Sequence, residues 1–207
     1  GALRYAERCL AMSRDLGDAA GEVAALVALG AGHAALGAAE QALRRYTEAL
    51  ECARAAAARR TELQVLLALI PLAPDPVEYQ RAALGVATAL CDDATALRLL
   101  LGLVARPESA TSRLADAERG LLLAQKLGDR HASARLLESQ ANALSTLGQT
   151  IEAAAALQWA LDFAGEPADQ ARLHRHLADM AHASGEPTEA AAHLRAALPL
   201  LTDAPDE

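Results

Sequence analysis

The chain is 207 residues long, of which 54 are Ala and 37 are Leu, both strong helix formers. Val, Ile and Thr together number 17 and aromatics 5, too few to cover the faces of a sheet, which excludes sandwiches, barrels and doubly wound α/β folds. The net charge of −8 argues against a nucleic-acid surface, which would need clustered positive charge to displace counterions.

Hydrophobic periodicity and turn residues predict eleven helices, near 2–15, 19–36, 39–58, 61–72, 76–91, 94–106, 110–127, 130–147, 150–164, 168–184 and 187–201. The first carries charges throughout and has no apolar stretch of the signal-peptide kind. The second holds most of the longest uncharged run, the 17 residues from Val23 to Ala39. That run includes Gly30, Gly32, His33 and Gly37 and sits at the lower edge of spanning length, so no membrane span is expected. Three prolines, Pro71, Pro74 and Pro76, stiffen the turn between the fourth and fifth helices, which is read as a bend in the superhelix in preference to a weak subdomain boundary. Asp75-Pro76-Val77-Glu78 reads as a helix start, with Asp75 as the N-cap and Pro76 at the first helical position. Cys9, Cys52 and Cys91 are odd in number, lack CxxC spacing and fall at apolar helix positions, as reduced cysteines of a cytoplasmic protein would.

Internal repetition organises these helices. Residues 2–53 and 113–164 are identical at 15 of 52 positions without a gap, an offset of 111. Ala6-Glu7-Arg8 recurs as Ala117-Glu118-Arg119, and Leu16-Gly17-Asp18 recurs as Leu127-Gly128-Asp129. Leu36-Gly37 recurs as Leu147-Gly148, and Ala42, Ala49, Leu50 and Ala53 recur as Ala153, Ala160, Leu161 and Ala164. Gly148 and Ala153 recur once more 37 residues later, as Gly185 and Ala190. In the best-matching units one helix ends at a Gly, as at Leu36-Gly37 and Leu147-Gly148. A second follows with Ala-x3-large-x2-Ala, as in Ala42, Tyr46 and Ala49, where the small residues admit close approach and the large one fills the gap. A helix pair cannot bury its own apolar faces, whereas stacked pairs can.

This pattern resembles the tetratricopeptide repeat. Residues 23–56 fit it best, followed by 134–164 and 171–204, while the unit at about 61–91 is degenerate. The resemblance implies an all-α, right-handed α-solenoid of stacked antiparallel helix pairs, read as one repeat domain over 1–207. The long units resemble the repeat regions of large bacterial transcription activators and signalling ATPases. Residues 2–15 match a second helix rather than a first, so the chain is expected to be part of a longer protein.

Chemistry-bearing motifs are missing from the sequence. Gly30-Ala31-Gly32 lies within a helix and has Ala35 where a dinucleotide loop needs its third Gly. No phosphate loop, HExxH or GxSxG occurs. His174 and His176, at i and i+2, point to opposite sides of a helix and cannot share a metal ion. No enzyme activity, metal or cofactor is expected.

The resemblance instead implies a concave binding groove lined by the first helix of each pair. Its positions map onto Ala24, Val27, Ala31, Ala34 and Ala35, then onto Ala96, Leu99, Leu103, Arg106 and Pro107. They continue with Arg135, Glu138, Asn142, Ser145 and Thr146, and end on Arg172, Arg175, Asp179, His182 and Ala183. The N-terminal part is apolar and the C-terminal part polar. Asn142 matches one residue of the carboxylate clamp found in some repeat proteins of this kind. Glu138 stands where a basic residue would be wanted, leaving Arg172 and Arg175 to supply positive charge. The expected role is a protein-interaction scaffold binding a peptide or partner domain that is amphipathic with an acidic part, or another domain of the same chain. The alternatives are a regulatory or sensor segment of a bacterial transcription activator or signalling ATPase, and a self-association module acting through terminal helices.

Overall fold

Short links between amphipathic helices leave one way to bury both apolar faces, which is to fold each helix back along its predecessor. The computed structural model of the chain describes residues 1–106 and 109–202. Among these residues there is no strand. The eleven helices are α1 (Ala2–Leu16), α2 (Ala19–Ala35), α3 (Ala39–Ala55), α4 (Arg59–Leu69), α5 (Val77–Ala89), α6 (Asp93–Val104), α7 (Ala110–Leu127), α8 (Arg130–Thr146), α9 (Thr150–Phe163), α10 (Pro167–Ala183) and α11 (Pro187–Thr202). The all-helical class and the helix order agree with the sequence pattern.

The two Leu-Gly-Asp links are built alike. Gly17 and Gly128, 111 residues apart, take left-handed φ values of 66° and 70° and receive the C-terminal turns of α1 and α7. The next residue then starts a new helix. The Asp18 carboxylate accepts the Gly21 N–H at 3.0 Å, and Asp129 accepts that of Ala132 at 2.9 Å. The sequence duplication is thus also a duplication of turn geometry.

Two links make the left-handed turn without glycine, at Ala57 (φ 51°) and Cys91 (φ 55°). The Ala57 turn ends α3 at Ala55 and starts α4 at Arg59, where the sequence pattern predicts 39–58 and 61–72. At the fifth helix the boundary is Val77, with Pro76 in the N-cap position. Asp75 acts from one residue earlier, its carboxylate accepting the Val77 N–H at 3.1 Å.

The helices fall into two compact units, Gly1–Leu99 and Leu100–Glu207. The proline-rich turn lies within the first of these, not at the division. In the N-terminal unit α2 packs on α1 and α3, and α4 on α3 and α5. Ala42, Ala49 and Ala53 on α3 are fully buried, as are Leu26 and Leu29 of α2. Gly30 sits under the Tyr46 ring so closely that a Cβ there would lie 2.8 Å from ring carbons. Glu62 is buried, yet its carboxylate receives Arg54 at 3.0 Å and Arg59 at 2.9 Å. Burial alone would raise this carboxyl's pKa; the two guanidinium hydrogen bonds outweigh it and leave the group below its ordinary value.

In the C-terminal unit α7 to α11 pack each on the next. Leu137, Leu157, Leu173 and Leu177 form the core around Ala141, Ala153 and Ala160. Small residues opposite large ones let these helices approach closely.

Candidate interaction clefts on the C-terminal unit

The polar cleft of this unit is built on one face of α8. Arg135, Glu138 and Asn142 follow one another at i, i+3 and i+7, which places them in a row along the helix. The end of α6 forms one wall, through Leu101, Val104, Ala105 and Arg106, and α7 contributes Arg113. Arg172 of α10 closes the far side. The cleft has a volume of about 560 Å³ and is open to solvent. Two polar contacts tie the wall together: the Ser139 hydroxyl meets the Val104 carbonyl at 3.5 Å, and Arg113 Nη2 donates to the Arg106 carbonyl at 3.3 Å.

Electrostatics within the cleft are uneven. Arg172 hydrogen-bonds Glu138 and also holds Asp169 at 2.8 Å. Its guanidinium is held above its ordinary pKa chiefly by the Glu138 hydrogen bond, against the opposing effect of burial. Glu138 is the single carboxylate in the described lining, and this ion pair neutralises it. Arg135 and the Asn142 side chain are exposed and make no ion pair or hydrogen bond among the described residues. The row therefore offers one unpaired cation and one amide, backed by further guanidiniums, in a chain that is acidic overall.

A second cleft runs between α10 and α11, with a volume of about 520 Å³. Its floor is Ala168, Ala171 and Ala197, and Leu194, Leu198 and Leu201 line one side. Arg172, Arg175 and Arg195 stand at its edge.

The structure sorts the expected groove residues into three groups. Arg135, Glu138, Asn142 and Arg172 come together in the polar cleft, and Arg175 joins Arg172 at the second cleft. Asp179 and His182 are exposed on α10 but line neither of these clefts. Ala24 and Ala31 are exposed on α2 and Val27 is half-buried. Leu99 and Leu103 are 4% and 1% exposed: they face the helical core and offer nothing to a ligand. Both carry large apolar side chains on α6 at i, i+4 spacing, the pattern of a core-facing stripe. Pro107 lies outside the described residues. Of the two arginines expected to supply positive charge, Arg172 is already paired with Glu138 and Asp169, and Arg175 makes no ion pair among the described residues. Nothing in the sequence points to Arg113, because it belongs to the second helix of its pair and no spacing aims such a residue at the groove.

No family model matches the chain, and no curated protein matches it in sequence. Solved structures do. BtubC (BKLC) from P. vanneervenii superposes over 100% of this chain and 93% of its own, at 16% identity and a TM-score of 0.62. The apo form of RapI does so over 97% of this chain and 76% of its own, at 17% identity and a TM-score of 0.51. TTC0263, a thermophilic TPR protein in Thermus thermophilus, gives a TM-score of 0.42 at 19% identity, over 87% of this chain and 92% of its own. The helix pairs with their Leu-Gly turns, together with the likeness to BtubC and RapI, give the chain a tetratricopeptide-like helical-repeat fold.

Proposed function

We propose that this chain is a non-catalytic protein-interaction scaffold and that the α6–α8–α10 cleft receives an acidic stretch of a partner peptide. The observation that carries this reading is the exposed, unpaired Arg135 and Asn142 on one face of α8, in a cleft whose single described carboxylate is already neutralised. A guanidinium grips a carboxylate through two parallel N–H donors, and an amide can orient the same group. Leu101 and Ala105 on the α6 wall give the peptide's apolar side chains a surface, so the preferred partner is amphipathic with an acidic part. Cys9, Cys52 and Cys91 form no disulfide, which supports a reducing, cytoplasmic setting.

The test uses fluorescently labelled penta-glutamate and penta-lysine peptides in anisotropy titrations. Penta-glutamate should bind preferentially, and Arg135→Glu should weaken it by about tenfold, as loss of a charge pair at an interface implies. Equal binding of the two peptides, or no change in the variant with an unaltered circular dichroism spectrum, overturns the assignment.

A further inference from the structure

His174 and His176 cannot serve one ion, but the fold gives His174 a different partner. Across α10 and α11, His174 and His193 face each other with their Nδ1 atoms 3.2 Å apart and their ring centroids 5.4 Å apart. Both rings therefore present their Nδ1 edges to each other. At an offset of 37 residues the two histidines take the places of Leu137 and Ala156 in the α8–α9 pair, which are 4% and 6% exposed in an apolar core. The same helix-on-helix contact is made with a leucine and an alanine in one pair and with two imidazoles in the next, so packing alone does not call for histidine. Ala178, Ala181 and Ala190 form a buried contact one turn further along both helices, which holds the backbones carrying the rings close together.

The spacing suits a metal ion. Two imidazole nitrogens on one tetrahedral Zn²⁺, each at about 2.0–2.1 Å, lie about 3.3 Å apart, and the observed separation is 3.2 Å. Each Nδ1 must then offer its lone pair, with the ring proton on Nε2. The Glu189 carboxylate stands 3.9 Å from Nε2 of His193, on the side where a carboxylate fixes that tautomer. Burial, followed by the charge of His193, holds His174 below its ordinary pKa, so its ring is neutral near pH 7 and able to ligate. Among the described residues no third His, Cys, Asp or Glu joins the pair in a cluster, which leaves the other coordination positions to water.

We propose that His174 and His193 form a two-histidine site for a divalent transition-metal ion of the Zn²⁺ class, which staples α10 to α11. Imidazole nitrogens select such ions over Mg²⁺ and Ca²⁺, which take oxygen ligands. The unfolded chain does not hold the two rings together, so the ion stabilises the folded helix pair by mass action. With two protein ligands and water in the open positions, the site exchanges its ion with the medium, and the stability of this pair follows metal supply.

The probes are Zn²⁺ and, as the control, Mg²⁺, titrated calorimetrically into the full chain with its cysteines reduced. The wild type should bind Zn²⁺ and not Mg²⁺. His174→Leu with His193→Ala installs the residues that the α8–α9 pair carries at these positions. This double variant should keep the circular dichroism spectrum and bind Zn²⁺ at least ~10-fold more weakly. Zn²⁺ should raise the urea midpoint of the wild type and leave that of the double variant in place. A readout on the wild type alone makes the test independent of how the variant folds: Zn²⁺ should move the ring NMR signals of His174 and His193 and leave those of His33, His131, His176 and His182 unchanged. Absence of Zn²⁺ binding, equal Zn²⁺ affinity in the two proteins, equal binding of Mg²⁺, or a response confined to the other histidines overturns the proposal.

Discussion

Gly30 and Tyr46 mark a close helix approach in the N-terminal unit, and the C-terminal unit supplies their counterpart. At the offset of 111 residues, Gly30 becomes Ala141 and Tyr46 becomes Leu157, both fully buried. One unit pairs no side chain with a ring, the other a methyl with a branched chain. Gly30→Ala adds a Cβ 2.8 Å from the ring of a buried Tyr46, so the ring or α3 must move. Overpacking of this kind costs about 1–3 kcal/mol, whereas replacing a mid-helix Gly with Ala gains about 1 kcal/mol. The net result is destabilisation of up to about 2 kcal/mol, set by how far the ring can retreat. In a Tyr46→Leu background the clash is gone and only the propensity gain remains, so the same substitution should stabilise by about 1 kcal/mol. Urea unfolding followed by circular dichroism of the four proteins gives the coupling energy, expected at about 1–3 kcal/mol. Gly30→Ala that stabilises the wild-type background, or a coupling indistinguishable from zero, would refute the account of the Gly30–Tyr46 contact.

Other substitutions probe the turns and the charges. Ala57→Gly should raise stability by about 0.5–1 kcal/mol, because Ala57 holds a φ of 51° that glycine adopts without strain; a lower urea midpoint in the variant contradicts this. Glu62→Gln should lower stability at pH 7, since the carboxylate holds two guanidiniums from a buried position. Its pKa is depressed on folding, so the stabilisation is present above the unfolded value of 4.5 and is lost as pH falls through the folded value. The gap between the variant and the wild type should therefore close in acid, which urea midpoints at pH 7 and pH 4 measure. His174 lies 3.2 Å from His193, Nδ1 to Nδ1, and burial followed by the His193 charge pushes its pKa below 6.5. The unfolded chain then takes up this proton first, so stability is complete above 6.5 and declines as pH drops through that value toward the folded pKa. Proton NMR that places the His174 titration at or above 6.5 would contradict this reading.

Much of the fold was legible because its rules are local. Helix starts follow from Asp18 and Asp129, which cap within three residues, and helix ends follow from Leu-Gly at 16–17, 36–37, 127–128 and 147–148. Ala57 and Cys91 were not legible as turns, since each carries a Cβ in a conformation that sequence patterns assign to glycine. The clefts were half legible for a different reason. Arg135, Glu138 and Asn142 share one helix, so spacing alone puts them in a row. Their partners come from elsewhere in the chain: Arg172 reaches Glu138 from α10, and Arg106 and Arg113 arrive from the end of α6 and from α7. Spacing within one helix says nothing of which neighbour's side chain crosses over to meet it. The burial of Leu99 and Leu103 was legible in their apolar i, i+4 spacing, but the repeat position alone pointed the other way, because it names a face of a helix and not what covers it.

The two Leu-Gly-Asp connectors have a genetic consequence. Gly17 and Gly128 hold the same backbone shape and are followed by the same capping Asp, so a crossover between the duplicated halves at this point rejoins helices without disturbing a turn. The product would gain or lose one 111-residue block, and every small-large pair would travel intact. A crossover between residues 30 and 46 has no such freedom. One product would set Ala against Tyr and crowd the helices, and the other would set Gly against Leu and leave a hollow. Such a chain can therefore change length cleanly at its connectors, while its helix pairs are inherited whole.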